Sequence, residues 1–262
     1  MTSNFFKLLR FSIDPSQPVP DDIKAEEWPM LFRIAKEQNL QGVIFYGMKR
    51  LPEHCLPDRQ FRMKWFAISR QIATLNTKVN VNAVKVSEIF RQKGLRTCIL
   101  KGQGNALLYP DPLMRTPGDI DIWAEGGYKK VMKTVGKMAE GHKRCYHHTD
   151  FPPYGGTEIE LHYRPQFMNN LISNGRLQEY FNKNADTQFA NIVMLPDGAG
   201  KIAVPTTAFN RIYQMAHISN HFFHEGIGLK QLLDYYFVLR QGFTAEEQKA
   251  DRLTLKRCGL YK

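Results

Sequence analysis

Apolar residues recur with a helical period over the first third of the chain. Between residues 26 and 94 one face carries Leu31, Ile34, Ala35 and Gln38, and a second carries Ile68, Ile72, Leu75 and Val79. Pro52 and Pro57 separate the two segments, and Gly94 is typical of a helix stop. This pattern predicts a helical N-terminal region over residues 1–94.

The pattern changes after Leu95. Short β-branched or alternating runs predict strands at 97–100, 119–123, 142–149 and 157–163, and apolar periodicity predicts helices at 103–109 and 128–138. The resulting order, β-α-β-α-β-β, indicates a small mixed sheet with helices against it. We assign residues 95–200 to this α/β core.

A helical period returns near Thr206. One face carries Phe209, Ile212, Tyr213 and Ala216, and another carries Leu229, Leu232, Leu233 and Tyr236. Residues 201–262 are therefore predicted to be a C-terminal helical region. The fold class predicted for the whole chain is α+β: a small mixed β-sheet with helices, flanked by N-terminal and C-terminal helical regions.

Composition indicates an ordinary globular protein, because 43% of its 262 residues are hydrophobic and 23% are charged. The four cysteines are far apart and form no C-x-x-C unit, so we expect reduced thiols rather than a zinc or disulfide framework: Cys55, Cys98, Cys145 and Cys258. Neither a secretory leader nor a membrane-length apolar run is evident. We expect a soluble cytoplasmic protein with no membrane partner.

The formal net charge of +11 favours an anionic ligand such as a nucleotide, a nucleic acid or an acidic substrate. The basic residues are scattered, with no run of five or more and no RNA-binding signature. A solvated basic surface explains many of them equally well. We expect no specific DNA binding.

The tripeptide Asp119-Ile120-Asp121 is the most informative short motif. On a strand, residues i and i+2 point to one face, so the two carboxylates project together. Mg²⁺ binds such oxygens, although two solvated acids on an exposed strand are the plainer alternative. Glu160, in TEIELHY, offers a third carboxylate on a nearby strand and shares its face with His162.

These residues resemble the nucleotidyltransferase superfamily that shares the DNA polymerase beta-like catalytic fold, over residues 97–164. More narrowly, LKGQGNALLYPDPLMRTPGDIDIW followed by IELHYR resembles a bacterial group of uncharacterised nucleotidyltransferase-like proteins. The resemblance implies that Asp119, Asp121 and Glu160 are catalytic and ligate Mg²⁺ or Mn²⁺. It also implies two-metal in-line displacement, which moves a nucleoside monophosphate from a nucleoside triphosphate to a hydroxyl and releases pyrophosphate. The acceptor remains open between a small molecule, a protein and an RNA end.

The same resemblance predicts a set of nucleotide-binding residues: Lys101, Gly102, Gln103, Arg115 and Lys230. The Gly102-Gln103 turn departs from the Gly-Ser or Gly-Gly of the superfamily, and Lys101 is a substitute phosphate partner. For Arg115, a salt bridge to Asp111 or Asp119 is an equal alternative to a phosphate contact.

Histidines supply the competing hypotheses. His217, His221 and His224 share one helical face, and histidines spaced in this way can bind a metal ion. One alternative function is therefore a metal-dependent phosphohydrolase that uses His217, His221 and Asp234. Histidines with a purely structural role are the simpler explanation. A non-catalytic nucleotide-binding module is the third possibility. The pair at 147–148 is predicted to be an exposed strand turn.

Overall fold

The computed structural model describes residues 2–224 and 226–261. Met1, Glu225 and Lys262, which fall in the predicted N-terminal and C-terminal helical regions, lie outside the described residues. The helices are α1 (Thr2–Ile13), α2 (Trp28–Glu37), α3 (Gln41–Met48), α4 (Arg59–Gln92), α5 (Gln103–Ala106), α6 (Gly127–Val135), α7 (Leu171–Ala190), α8 (Thr207–His224), α9 (Leu229–Arg240) and α10 (Ala245–Arg257). The strands are β1 (Thr97–Ile99), β2 (Ile120–Ala124), β3 (His148–Tyr154), β4 (Thr157–His162), β5 (Ile192–Leu195) and β6 (Gly200–Ala203). The predicted α+β class is confirmed.

Four strands form the mixed sheet, in the order β1-β2-β4-β3. The central pair β2 and β4 is parallel, and the two outer pairs are antiparallel. The chain passes through α6 and the edge strand β3 between the two parallel strands. A separate hairpin of β5 and β6, which the sequence pattern did not predict, packs beside α4.

The predicted strand at 142–149 is wrong in position. The observed strand β3 spans His148–Tyr154 and includes Pro152 and Pro153, which the sequence pattern had placed in a connecting loop. Proline is tolerated there because β3 is an edge strand, and its pairing with β4 is irregular between Phe151 and Tyr154. Because the two prolines lie in this irregular stretch of an edge strand, their lack of N–H groups removes no hydrogen bond between paired strands.

Helix α4 is 34 residues long and supports the sheet. Its most regular buried stripe alternates steps of four and three residues: Trp65, Ser69, Ile72, Asn76, Val79, Ala83, Val86 and Phe90. Leu75, predicted to be on the buried face, is 49% exposed. The stripe passes through Asn76 instead, because the Asn76 amide finds carbonyl partners inside the protein.

The two faces of the sheet pack against different helices. Ile120 and Ile122 of β2 join the core formed with α4 and α6, whereas Trp123 packs against Phe209 of α8. A third core holds the N-terminal helices together with Leu233 of α9. The described helices include none with both the length and the apolar character needed to cross a bilayer.

Candidate active site

The three expected acids approach one another because of the strand register. Asp121 on β2 is the direct partner of Glu160 on β4, and register partners project to the same face of a sheet. Asp119 lies just before β2, two residues ahead of Asp121. One carboxylate oxygen from each of the three residues lies within 4.8 Å of the other two.

This donor set fits a divalent cation. All three donors are carboxylate oxygens, which Mg²⁺ and Mn²⁺ accept, and Asp121 and Glu160 are carried on a rigid sheet. Repulsion from Asp121, reinforced by burial, raises the pKa of Asp119 to about 6. A bound dication would relieve that repulsion.

Two basic side chains already neutralise Asp121. Lys101 Nζ lies 3.0 Å from Asp121 Oδ1, and His162 Nε2 lies 3.1 Å from the same oxygen. Burial disfavours a charged Asp121, but Lys101 and the His162 hydrogen bond outweigh it and hold its pKa well below its usual range. Burial likewise opposes charge on His162, yet its hydrogen bonds to Asp121 and Glu160 raise the pKa of His162 to about 9.

The acids lie between two cavities of one cleft. The first, of about 210 Å³, extends past Glu160 toward His147 and His148, and we call it the histidine side. The second, of about 230 Å³, extends past Gly102 toward Arg115 and Lys230, and we call it the basic side. Lys101, Asp119 and Asp121 line both. Seven of the eight residues expected at the site therefore border this cleft.

Gly102 and Gln103 are adjacent, but only Gly102 borders the cleft. Gly102 has a φ of +60°, a conformation that disfavours any other residue, and it turns the chain from β1 into α5 beside the acids. The Gln103 side chain points into the protein, where its Nε2 donates to Asn80 Oδ1. The side chain of Gln103 therefore lies away from both cavities, contrary to expectation.

Arg115 forms a buried salt bridge, but neither predicted partner is involved. Its Nε and Nη2 donate to the two carboxylate oxygens of Asp234 on α9, at 2.8 and 2.7 Å. Tyr109 Oη also donates to Asp234, at 2.6 Å. Asp234 is thus buried, and this network joins the C-terminal helices to the loop that leads into β2.

Lys230 lines the basic side one helical turn before Asp234. It is half-buried, and burial together with the nearby Arg115 guanidinium lowers its pKa. A side chain that is basic, partly desolvated and directed into a cavity with Lys101 is suited to an anionic ligand.

Asparagines on α4 hold the loops around the site. Asn76 Nδ2 donates to the carbonyls of Leu113 and Arg115, at 2.8 and 2.7 Å, immediately before the Asp119 motif. Asn82 Nδ2 donates to Thr157 Oγ1 at the start of β4. The sequence prediction missed these residues, although clustered asparagines inside a helical pattern are unfavourable for the helix and signal buried polar contacts.

The prediction of an exposed turn at His147 and His148 is wrong. Both are half-buried and line the histidine side, with ring centroids 4.4 Å apart. Burial, with the neighbouring His162 and His148, lowers the pKa of His147 to about 2. The cause of the error is the shifted strand β3, which places His148 opposite His162 in the sheet.

Comparison with known proteins places the chain in a family. A family model described as "Uncharacterised nucleotidyltransferase" matches residues 24–260, which is most of the chain. The chain belongs to this family. No curated protein matches it.

One solved structure shows a weak likeness. It is an antigenic nucleotidyltransferase-like protein from Paracoccidioides brasiliensis, 12% identical, with 74% of this chain and 94% of that chain covered. The TM-score is 0.37, too low to support any inference about this chain.

Two of the three helix α8 histidines of this family member border the cleft, because His217 and His221 line both cavities. His217 is buried and stacks on Tyr213, and its Nδ1 lies 3.3 Å from Gln166 Nε2. His224 Nδ1 contacts the Asn220 carbonyl instead of entering the cleft. Because Arg115 and Tyr109 occupy the Asp234 carboxylate, a phosphohydrolase centre built on that residue has no support from this geometry.

Proposed function

We propose that this protein transfers a nucleoside monophosphate from a nucleoside triphosphate to a hydroxyl acceptor, with pyrophosphate as the leaving group. The observation that carries the proposal is the convergence of Asp119, Asp121 and Glu160 within 4.8 Å at the centre of a cleft with one basic side. The family assignment supports nucleotidyl transfer in general, and the donor set supports a divalent cation.

Asp119, Asp121 and Glu160 would hold the cation, Mg²⁺ or Mn²⁺. When bound, such a cation neutralises phosphate charge and lowers the pKa of a coordinated hydroxyl. The half-buried Glu160 faces the histidine side and is the acid best placed to accept the proton of an incoming hydroxyl.

The basic side would receive the triphosphate. Lys101 and Lys230 carry the flexible ammonium groups there, and Gly102 permits a close approach of backbone to phosphate. Arg115 lines this side, but its guanidinium is bound to Asp234, so we assign it the role of positioning α9 beside the cleft. The acceptor would then enter from the histidine side, on the opposite flank of the acids.

Glu160→Gln is the direct test, with Glu158→Gln as the matched control. Both residues lie on β4 two positions apart, but Glu158 is exposed and outside the carboxylate cluster. The purified protein would be incubated with each α-labelled nucleoside triphosphate, Mg²⁺ or Mn²⁺, and cell extract. We expect labelled product and free pyrophosphate from the wild type and the control, and loss of both by at least about 100-fold in Glu160→Gln. Equal labelling by all three proteins would refute the proposal.

A further inference from the structure

A second group of metal-ligand atoms lies on the histidine side. His162 Nε2 is 3.3 Å from Glu160 Oε2, and His148 Nδ1 is 3.7 Å from the same oxygen. One ligand atom from each of these three residues lies within 4.8 Å of the other two. This group contains two imidazole nitrogens and one carboxylate oxygen, whereas the set of Asp119, Asp121 and Glu160 contains only carboxylate oxygens.

We propose that His148, Glu160 and His162 form a second cation site, which takes a transition-metal dication of the kind that accepts imidazole, such as Zn²⁺, Co²⁺ or Mn²⁺. Imidazole nitrogen suits these ions, whereas Mg²⁺ prefers oxygen, and the ion would displace the proton that His162 Nε2 shares with Asp121 and Glu160. The role of this ion in nucleotidyl transfer rests on the proposed function, because Glu160 is shared between the two sites. Whether the ion binds is a separate question.

The spacing of the donor atoms agrees with coordination to one ion. Ligands on neighbouring corners of a tetrahedron or octahedron, with bonds of about 2.1 Å, are about 3.0 to 3.4 Å apart. The separation of 3.3 Å falls within that range, and 3.7 Å is only slightly wider. His148 and His162 are register partners on β3 and β4, so the sheet itself fixes the separation of the two rings.

The surroundings of His148 include a carboxylate and a second imidazole. Its Nε2 faces Asp150 Oδ1 at 3.8 Å, which leaves Nδ1 directed toward Glu160. A carboxylate that accepts a hydrogen bond from the second ring nitrogen orients a ligating histidine, and Asp150 lies just beyond that distance. His148 Nδ1 is hydrogen-bonded to His147 Nε2 at 3.1 Å, so a bound cation would replace that hydrogen bond.

Pulsed electron paramagnetic resonance of the Mn²⁺-loaded full-length protein tests the site, because it detects a ¹⁴N nucleus bound to the ion. We expect nitrogen coupling in the wild type, and its loss or reduction by at least half in His148→Ala and His162→Gln. His142→Ala is the matched control, since His142 is exposed six residues before His148, and it should keep the full coupling. Circular dichroism would verify that each variant folds. If His162→Gln unfolds, His148→Ala alone tests the site, because His148 is only half-buried.

Two further measurements make the outcome unambiguous. After dialysis against Zn²⁺, the bound zinc should fall by about one ion per chain in His148→Ala and not in His142→Ala. Asp119→Asn should lose transfer but retain the nitrogen coupling. No nitrogen coupling in the wild type, or coupling unchanged in both histidine variants, would show a hydrogen-bonded cluster only and overturn the inference. Transfer without coupling would leave the proposed function standing, and coupling without transfer would leave only the metal site.

Discussion

Asp121 and Glu160 are paired residues of neighbouring parallel strands, and His162 Nε2 lies within 3.3 Å of a carboxylate oxygen of each. The pairing means that neither acid depends on a flexible loop for its position. The histidine between them reduces the repulsion that two carboxylates would otherwise suffer. Changes at either acid should therefore affect both the cation site and the stability of the fold.

Asp121→Ala should destabilise the protein as well as abolish transfer. The substitution removes the carboxylate closest to the half-buried Lys101 and leaves the buried His162 with Glu160 alone, and removal of one partner of a buried ion pair costs about 3–5 kcal/mol. Urea denaturation would measure the free energy of unfolding. Asp121→Ala with wild-type stability would contradict the assigned contacts, and Glu158→Gln should stay within about 0.5 kcal/mol of wild type.

The Arg115–Asp234 pair should behave as a single unit. Asp234→Asn leaves the Arg115 guanidinium buried without a carboxylate, and we expect a loss of about 3–5 kcal/mol in the free energy of unfolding. The double substitution Arg115→Met with Asp234→Leu should recover a large part of that loss. Glu37→Gln, which breaks the exposed Arg33–Glu37 pair, should cost less than about 1 kcal/mol. Additive losses in the double variant would argue against coupling.

Cation affinity should depend on pH through Asp119. Its pKa is raised to about 6 by Asp121 and burial, so a proton competes with the cation below that pH, and the apparent affinity should fall by up to about tenfold per pH unit. Calorimetric titration with Mg²⁺ from about pH 5 to about pH 8 would show affinity rising and then levelling. Asp119→Asn should flatten the profile.

The same carboxyl predicts the pH dependence of the metal-free fold. Its folded pKa of about 6 lies above the unfolded value of about 3.9, so folding favours the protonated form. This contribution is present below about pH 4 and is lost as the pH rises through about 6. Thermal melting of wild type and Asp119→Asn in the presence of a chelator would measure the difference, and parallel pH profiles would exclude the assignment.

Lys230→Met should weaken nucleotide binding while leaving the fold unchanged. A charge-assisted contact to phosphate contributes about 1.5–3 kcal/mol, which corresponds to a loss of about 10- to 150-fold in affinity. Fluorescence titration with a non-hydrolysable nucleoside triphosphate would give the Kd. Lys249→Met is the control, because Lys249 is exposed on α10 outside the lining of the basic side. An unchanged Kd for Lys230→Met would remove this residue from the site.

Asn76→Ala should loosen the loop that leads to Asp119. The variant leaves the carbonyls of Leu113 and Arg115 without their shared donor, at a cost of about 1–3 kcal/mol. Because the loop precedes the first acid, we expect activity and melting temperature to fall together. Thr74→Ala on the exposed side of α4 should leave both nearly unchanged, and a fall in neither measurement for Asn76→Ala would refute the role.

Elements with strong local periodicity were predicted well. The face of α8 that carries Phe209, Ile212, Tyr213 and Ala216 is buried as expected, and β2 is displaced by only one residue. Helix α7 escaped prediction because its buried positions include the polar Asn174 and Gln188, which obscure the apolar stripe. Hydrophobic pattern reports burial only where the buried residues are apolar.

The three-region division of the chain stays a prediction. Helix α4 contributes Trp65 to the N-terminal core and Phe90 to the core beside the sheet, and Phe237 of α9 packs in the N-terminal core. A long helix can join two cores that the sequence presents as one segment, since burial depends on what surrounds each turn rather than on the order of the chain.

The sequence alone indicated that the carboxylates of Asp119 and Asp121 project to one face, because alternation along an extended segment is a local property of residues i and i+2. It also indicated a third acid, through a motif resemblance rather than through geometry. Only the tertiary structure decided that Glu160 lies beside Asp121, that Arg115 binds Asp234 and that His148 enters the cleft. Each of these contacts joins distant parts of the chain or depends on strand register, and no local pattern specifies which distant residues will meet.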